Sequence, residues 1–182
     1  MNQTKGGQSL VFEEPPVIVS AASVAGSKEA EGPLGKLFDM TNQDDLFGAG
    51  TWEEAESNMQ KEACVLALGK AHVDPEEVRC LFGGDLLRQG VATSMGVEAL
   101  QIPMFGLYGA CSTSGEALAL AAMSTAAGYG KYMLAVTSSH FGSAEKEFRF
   151  PLGYASQRPL SAHWTVTGSG AFLVAPAGTD RK

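Results

Sequence analysis

Cys111 is the residue whose type and surroundings point most directly to chemistry. It lies in the glycine-bounded run Gly109–Gly115, between a predicted strand at Met104–Leu107 and a predicted helix at Ser112–Gly128. This order resembles a nucleophile elbow, a sharp turn that lifts one side chain out of a sheet at the start of a helix. Backbone N–H groups and the helix dipole would there favour a thiolate or hold a bound carboxylate. An inert buried cysteine is the alternative, because free cysteine is often buried.

Two side chains that follow predicted strands are candidates for acting with Cys111. His140 comes after a strand at Tyr132–Thr137, and Asp85 comes after a strand at Cys80–Phe82. Ligands bind at the carboxyl ends of strands in open parallel sheets, so both side chains are expected near the thiol. His140 would serve as its base, and Asp85 would orient a base or accept a ligand hydrogen bond. For Asp85, a turn or helix cap is the alternative.

The other histidines and cysteines are weaker candidates. His72 ends a predicted helix, and His163 lies in a loop before the last predicted strand. Cys64 and Cys80 lie on apolar faces, which predicts that both belong to the core. The sequence contains no C-x-x-C motif, so zinc and thioredoxin-type chemistry are disfavoured. We expect no metal and no cofactor.

A locally basic stretch follows His140 in an otherwise acidic chain. It carries Lys146, Arg149 and Arg158, and arginine suits bidentate contacts to a carboxylate. A solvated loop is the alternative. The net charge of −7 arises in residues 1–60, which hold ten acids and three bases, whereas residues 61–182 hold ten of each. Nucleic acid is a poor partner for such a chain, because phosphate binding needs a basic face.

The elements that must position these residues alternate between strands and helices. Residues 1–10 are predicted as a flexible tail, and residues 24–50 as a long acidic loop. Thr51 and Glu54 have the spacing of a capping box at the start of a helix. The other predicted elements are a strand at 17–23, a short helix at 75–77, a helix at 92–101 and a strand at 169–175. This alternation favours an α/β fold with a mixed, mostly parallel sheet and helices on both faces.

The helix predicted at Ser112–Gly128 is unusually rich in alanine. It is apolar on nearly all sides, which is typical of a buried helix whose small residues let neighbouring backbones approach closely. The sequence predicts no transmembrane segment, because it contains no apolar run of about 20 residues. It predicts no signal peptide, because Met1–Leu10 is polar and lacks an apolar core.

Six short blocks carry a family resemblance that extends over about residues 8–176. The block Gly109–Ser114, ahead of an alanine-rich helix, resembles the active-site turn of thiolase-fold enzymes, including the ketoacyl synthases. A closer resemblance is to the stage V sporulation protein AD family, a thiolase-like group. The blocks that carry it are Gly32–Asp39, Gly84–Gln89, Gly109–Ser114, Thr137–His140, Ala144–Arg149 and Thr165–Ala171.

The resemblance implies a fold and a ligand. Residues 11–176 would form the N-terminal half of a thiolase-like pair, a βαβαβαββ unit, with the second half absent and residues 177–182 as a C-terminal tail. The protein would bind dipicolinic acid, pyridine-2,6-dicarboxylate, without catalysis during spore formation and germination. The family's pocket maps onto Asp85 and Cys111. We add donors and positive charge for a small dianion, so the expected ligand-binding residues are Asp85, Cys111, Ser112, His140 and Arg149.

The same resemblance implies a location and partners. The protein would lie peripherally at the spore inner membrane, on its cytoplasmic-type soluble side, beside membrane-embedded products of the same operon. Without a second half, the helix after Cys111 would expose an apolar patch that favours a homodimer or a separately encoded second half. Two alternatives to ligand binding stay open: an acyltransferase fragment with Cys111 as nucleophile, and a purely structural piece.

Overall fold

A six-stranded mixed sheet is the centre of this computed structural model, which describes residues 3–148, 160–161 and 163–179. Five helices and a separate two-stranded hairpin surround that sheet within the described residues. In chain order the elements are β1 (Thr4–Lys5), β2 (Ser9–Leu10), β3 (Val17–Ala25), α1 (Ser27–Ala30), β4 (Met40–Thr41), α2 (Trp52–Ala71), β5 (Val78–Gly84), α3 (Val91–Val97), β6 (Met104–Gly106), α4 (Thr113–Ala126), β7 (Tyr132–Ser139), α5 (Phe141–Phe148) and β8 (Gly168–Ala175).

The sheet places the last described strand at its middle. Its strand order is β4-β3-β8-β7-β5-β6. Strand β8 runs antiparallel to both of its neighbours, β3 and β7, whereas the β3–β4, β5–β7 and β5–β6 pairs are parallel. The predicted α/β fold with a mixed, mostly parallel sheet is therefore confirmed.

Helices cover both faces of the sheet. Side chains alternate between the two faces of a strand, and in β7 they divide accordingly. Leu134 and Val136 pack with α2, whereas Met133 and Ala135 pack with α4. Helix α2 is the larger cover, because it buries a stripe of small and medium side chains against β3, β7 and β8.

Local capping explains why α2 begins where the sequence predicts. Thr51 Oγ1 accepts the backbone N–H of Glu54 at 3.2 Å. The carboxylate of Glu54 accepts the N–H of Gly50 at 3.2 Å, one residue earlier than in a standard capping box. The helix ends at Ala71, and the residue that caps it, His72, has a φ of 53° in the left-handed region.

Helix α4 corrects one expectation. It is buried on one side only, through Thr113, Ala117, Ala121 and Thr125, which recur every four residues. The other sides face solvent, and Met123 is 42% exposed there. The prediction of a helix buried on nearly all sides is wrong for the described residues, because the sheet covers a single stripe.

Two segments predicted as irregular contain short elements. Residues 4–10 form the hairpin β1–β2 in place of a loose tail, and the turn uses Gly6, whose φ is +65°. The predicted loop 24–50 includes α1, a 3-10 turn at Gly35–Leu37 and the edge strand β4. Asp39 holds this segment to α2 through an ion pair with Lys70, which also lowers the pKa of that carboxyl.

A short turn follows the last described strand. Of the predicted C-terminal tail, residues 177–179 follow β8 as a turn, and residues 180–182 lie outside the described residues. Across the described parts of the chain, we find no helix with both the length and the apolar character that a bilayer span requires.

Candidate functional site

A pocket of about 360 Å³ lies where the carboxyl ends of β5 and β7 meet the start of α4. It brings Asp85 and Cys111 into one site, as the position of both residues after strands predicts. The walls come from four segments of the fold. The described residues that line it are Gly84, Asp85, Leu86, Ala110, Cys111, Thr113, Ser114, Thr137, Ser138, Ser139, Gly168, Gly170 and Phe172.

Cys111 is presented to this pocket by a tight turn. It lies in a single 3-10 turn, Ala110–Ser112, and Ala110 has a φ of 49°, which is strained for a residue with a Cβ. Gly109 anchors the turn, because its N–H donates to Thr113 Oγ1 at 3.0 Å and its carbonyl accepts from Ser112 Oγ at 2.7 Å. Cys111 is exposed, so the alternative of an inert buried cysteine is wrong.

Asp85 lies in the wall of the pocket with both of its carboxylate oxygens hydrogen-bonded. The side chain is 2% exposed. Its Oδ1 accepts the N–H of Leu87 at 2.8 Å, and its Oδ2 accepts the N–H and the hydroxyl of Thr93 at 2.8 and 2.6 Å. These bonds fix the turn after β5 and the start of α3. Asp85 therefore caps a turn, the alternative left open by the sequence, while it also bounds the pocket.

His140 corrects a second expectation, because it does not line the pocket with Cys111. Strand β7 continues to Ser139, and His140 then turns beneath α2, where it is fully buried beside Trp52 at 5.2 Å between ring centroids. The N–H of Gly142 donates to Nδ1 at 3.0 Å, so the ring hydrogen is on Nε2 and donates to the Asp45 carbonyl at 2.7 Å. Burial lowers the pKa of the imidazole, and both ring nitrogens are occupied.

The remaining predicted residues divide between other roles. The Ser112 hydroxyl donates to the Gly109 carbonyl within the turn, and Ser112 does not line the pocket. Lys146 forms an ion pair with Glu53 at 3.1 Å. Arg149 and Arg158 lie outside the described residues. His163 is exposed in the loop before β8.

The other two cysteines are in the core, as predicted. Cys64 is fully buried under the sheet, and Cys80 is 8% exposed. Burial raises the pKa of the Cys64 thiol to about 12. Neither thiol is available for chemistry at the pocket.

Sequence reasoning missed a buried polar cluster behind the pocket. Glu56 and Gln60, on α2, are both fully buried. Gln60 Nε2 lies 2.9 Å from both Thr93 Oγ1 and Ser138 Oγ and 3.3 Å from the Gly84 carbonyl, so its two hydrogens are shared among three acceptors. Ser138 Oγ donates to Glu56 Oε1 at 2.7 Å. Two pocket-lining residues, Gly84 and Ser138, are thus connected to the interior of the fold.

The carboxyl of Glu56 is held in an unusual state. Ser143 Oγ donates to its second oxygen at 2.8 Å. Burial raises the pKa of Glu56 to about 7, against its usual 4.5, although the two serine hydroxyls oppose the rise. Glu56, Gln60, Cys64 and Leu68 follow one another at intervals of four along α2, and all four are buried. This spacing with apolar residues was the signal in the sequence that could have shown the burial of Glu56 and Gln60.

A larger groove on the same domain is a poorer candidate. It encloses about 660 Å³ beside the edge strand β6, and its walls are dominated by Phe82, Phe105 and Leu120. Sites for small polar ligands need convergent polar groups, which the pocket at Cys111 has and this groove largely lacks.

Comparison with known sequences identifies a family and shows how much of a relative's length this chain covers. A family model described as Stage V sporulation protein AD matches residues 6–182. The Stage V sporulation protein AD of Bacillus subtilis (strain 168) is 41% identical over 175 residues, which cover 96% of this chain and 52% of that protein. The chain therefore spans about half the length of the curated relative that it matches.

Comparison with solved structures gives the fold. The 3-oxoacyl-[acyl-carrier-protein] synthase III of Aquifex aeolicus VF5 aligns with a TM-score of 0.60 at 18% identity, over 90% of this chain and 54% of that one. OleA of Xanthomonas campestris aligns with a TM-score of 0.60 at 17% identity, over 91% of this chain and 57% of that one. At such low identity the likeness establishes the thiolase-like fold alone.

Proposed function

The chain belongs to the stage V sporulation protein AD family, and we propose that it binds dipicolinate, pyridine-2,6-dicarboxylate, during spore formation and germination. Cys111 at the start of α4, open to a pocket at the strand ends, is the observation on which we base this function. The pocket volume of about 360 Å³ lies at the small end of the range of ligand sites, which is about 300–1,000 Å³. A single aromatic ring with two carboxylates is a ligand of suitable size.

The start of α4 supplies the electrostatic attraction. A helix N-terminus carries partial positive charge and favours an anion close to its first turn. Cys111 and Ser114 bound the pocket at that point, and the carboxylate of Asp85 accepts three hydrogen bonds from Leu87 and Thr93. A ligand carboxylate beside Cys111 would therefore meet the helix dipole and polar side chains.

The opposite wall suits the pyridine ring. Phe172 lies on β8 and lines the pocket, half-buried against the core. Offset stacking of an aromatic ligand on such a side chain adds about 0.5–1.5 kcal/mol beyond the area buried. Ser138 and Ser139 also line the pocket, although their hydroxyls donate to Glu56 and to the Val166 carbonyl.

Replacing Cys111 by aspartate should weaken dipicolinate binding by at least about tenfold, a change of about 1.4 kcal/mol. The new carboxylate would repel the dianion at the helix start, and residue 111 is exposed, so the fold should tolerate it. The matched variant is Cys111→Asn, which differs from aspartate in charge and little in size. Isothermal titration calorimetry of the two variants therefore isolates the effect of charge.

Two outcomes would contradict this function. Equal affinity of the aspartate and asparagine variants would show that the dianion does not bind next to Cys111. No detectable binding of dipicolinate to the unmodified chain at about millimolar ligand would refute the proposal itself. Pyridine-2-carboxylate, with one carboxylate fewer, serves as the control ligand and should bind more weakly.

Acyl transfer is the second candidate, because Cys111 is exposed and the fold is that of 3-oxoacyl synthases. The described residues that line the pocket include no histidine to serve as base. Incubation with an acyl-CoA followed by mass spectrometry is the test. A thioester on Cys111 that is absent from Cys111→Asn would favour the enzyme over the binding protein.

We also propose a peripheral location at the spore inner membrane, beside proteins of the same operon. The exposed sides of α4 would face a second copy of the chain or another protein domain. Size-exclusion chromatography with light scattering is the measurement: a monomer at all concentrations would contradict self-association. Retention in the membrane fraction after removal of the operon partners would contradict attachment through them.

A further inference from the structure

Thr137 stands between two glycines where strand β7 reaches the pocket. Its register partner on β5 is Gly84, and its register partner on β8 is Gly170. Residues paired across neighbouring strands point their side chains to the same face of the sheet, about 5 Å apart. The two glycines therefore leave Thr137 with no side chain directly opposite it on either of the strands that pair with β7.

The side chain of Thr137 lies on the α4 face of the sheet, which is the face of the pocket. Along β7, Met133 and Ala135 pack with α4, and Thr137 is the next residue of that alternation. Its neighbour Ser138 lies on the opposite face, where its hydroxyl donates to Glu56 of α2 at 2.7 Å. Thr137 lines the pocket and is half-buried, so its side chain forms part of the pocket floor.

The hydroxyl of Thr137 is not used within the fold. It forms no hydrogen bond with any residue that the structure describes. Most other hydroxyls that line the pocket are engaged: Thr113 accepts a backbone N–H, and Ser139 donates to a backbone carbonyl. Ser114 resembles Thr137 in this respect, but it is exposed on the first turn of α4. A half-buried hydroxyl without a partner favours a ligand that can accept its hydrogen, because unpaired polar groups are costly away from water.

The space beside Thr137 is open on the side of β8. A Cβ built on Gly170 would meet Phe172 Cε2 at 4.0 Å and nothing closer among the described residues. On the side of β5 the space is filled, because a Cβ on Gly84 would approach Thr113 Cγ2 to 2.7 Å. A flat ligand can therefore lie over Gly170 and reach the Thr137 hydroxyl from that side.

We propose that Thr137 binds the ligand directly, by donating its hydroxyl hydrogen to one carboxylate of dipicolinate that lies over Gly170. Phe172 is the diagonal neighbour of Thr137 across the β7–β8 pair, and such neighbours are about 7–8 Å apart. One pyridine ring can therefore stack on Phe172 while its carboxylate reaches Thr137. Hydrogen bonds to an ionised acceptor are stronger than those between neutral groups. This inference rests on the proposed function for the identity of the ligand.

The second carboxylate of dipicolinate would then face the start of α4, where Cys111 and Ser114 bound the pocket. The two carboxylates thus meet different partners, a hydroxyl on the sheet and the N-terminus of a helix. Pyridine-2-carboxylate has a single carboxylate, which the helix start would attract more strongly than an uncharged hydroxyl would. Thr137 should therefore contribute to the affinity for the dicarboxylate and little to that for the monocarboxylate.

Isothermal titration calorimetry of Thr137→Val with both ligands tests this assignment. Valine keeps the branched shape of threonine and lacks the hydroxyl, so the affinity for dipicolinate should fall about tenfold. The affinity for pyridine-2-carboxylate should change little, so the preference of the chain for the dicarboxylate should shrink by the same factor. Thr137→Ser keeps a hydroxyl and should restore most of the affinity for dipicolinate.

Two further variants provide the controls. Thr41→Val makes the same chemical change on the edge strand β4, outside the pocket, and should bind dipicolinate like the unmodified chain. Gly170→Ala places a methyl group in the open space beside Thr137 and should weaken dipicolinate binding without loss of stability. Unchanged dipicolinate affinity in Thr137→Val, or an equal loss with both ligands, would overturn the role of Thr137 while leaving dipicolinate binding intact.

A ligand-free measurement separates this inference from the proposed function. Thr137→Cys and Thr125→Cys, each combined with Cys111→Asn, are treated with iodoacetamide, to which the buried Cys64 and Cys80 should not respond. The new thiol should be alkylated in Thr137→Cys and protected in Thr125→Cys, because Thr125 is buried under α4. Protection of the thiol in Thr137→Cys would refute the proposal, whether or not dipicolinate binds. Alkylation in a chain that binds no dipicolinate would support an open Thr137 and refute the proposed ligand.

Discussion

Gly84→Ala should lower the free energy of unfolding by about 3 kcal/mol, the upper part of the range for overpacked interiors. A Cβ at this position would overlap the carbonyl oxygen of Leu107 and approach Thr113 Cγ2 to 2.7 Å. The Leu107 oxygen belongs to backbone that cannot rotate away, so β5 must separate from the segment that leads to Cys111. Denaturant unfolding monitored by circular dichroism measures the loss, and dipicolinate affinity should fall with it.

Gly115→Ala is the matched control for that change. Gly115 lies in the first turn of α4, near the same pocket, and an added Cβ would meet nothing within 4 Å. Alanine in a helix is favoured over glycine by about 0.5–1 kcal/mol, so this variant should be slightly more stable than the unmodified chain. Equal stability of the two alanine variants would show that close approach at Gly84 does not constrain the fold.

Stability should also depend on pH through Glu56. Its pKa is about 7 in the folded chain and near 4.5 when exposed, so folding binds a proton between these values. The contribution of Glu56 is complete below about pH 4.5 and declines as the pH rises to about 7, by about 3 kcal/mol in total. The side chain in Glu56→Gln cannot ionise, so the free energy of unfolding of this variant should not show this decline with pH.

Other groups act with the opposite sign, so the difference between the two proteins is the quantity to measure. The folded pKa of His140 is lowered, and its contribution is lost as the pH falls. The same holds for Asp39 and Glu53, whose pKa values are lowered. Subtracting the unfolding free energy of Glu56→Gln cancels these shared contributions. A difference that is constant from about pH 5 to about pH 8 would contradict the buried, proton-binding Glu56.

The sequence predicts those features that depend on neighbouring residues. Thr51 and Glu54 stand three apart, and their cap forms with little help from the rest of the chain. Cys111 stands between a strand and a helix, and that order alone places it at the strand ends. The α/β fold is predictable as well, because strands and helices alternate along the sequence.

Features that depend on distant partners were not predictable in this way. His140 is oriented by the carbonyl of Asp45, 95 residues earlier, and by the ring of Trp52. Ser138 and Glu56 meet across 82 residues. A glutamate in the first turns of a helix is ordinarily exposed and favours the dipole, so the spacing of Glu56 with Cys64 and Leu68 is the single local signal of its burial.

Strand β8 has a consequence for the order in which the chain can assemble. It lies between β3 and β7, so the earliest and the later strands of the sheet share no backbone pairing until it is inserted. During synthesis on the ribosome, β3 and β7 can therefore meet at first only through the side chains that both pack against α2. The sheet therefore closes in a single late step, when residues Gly168–Ala175 emerge, and that same step completes the wall of the pocket that carries Phe172.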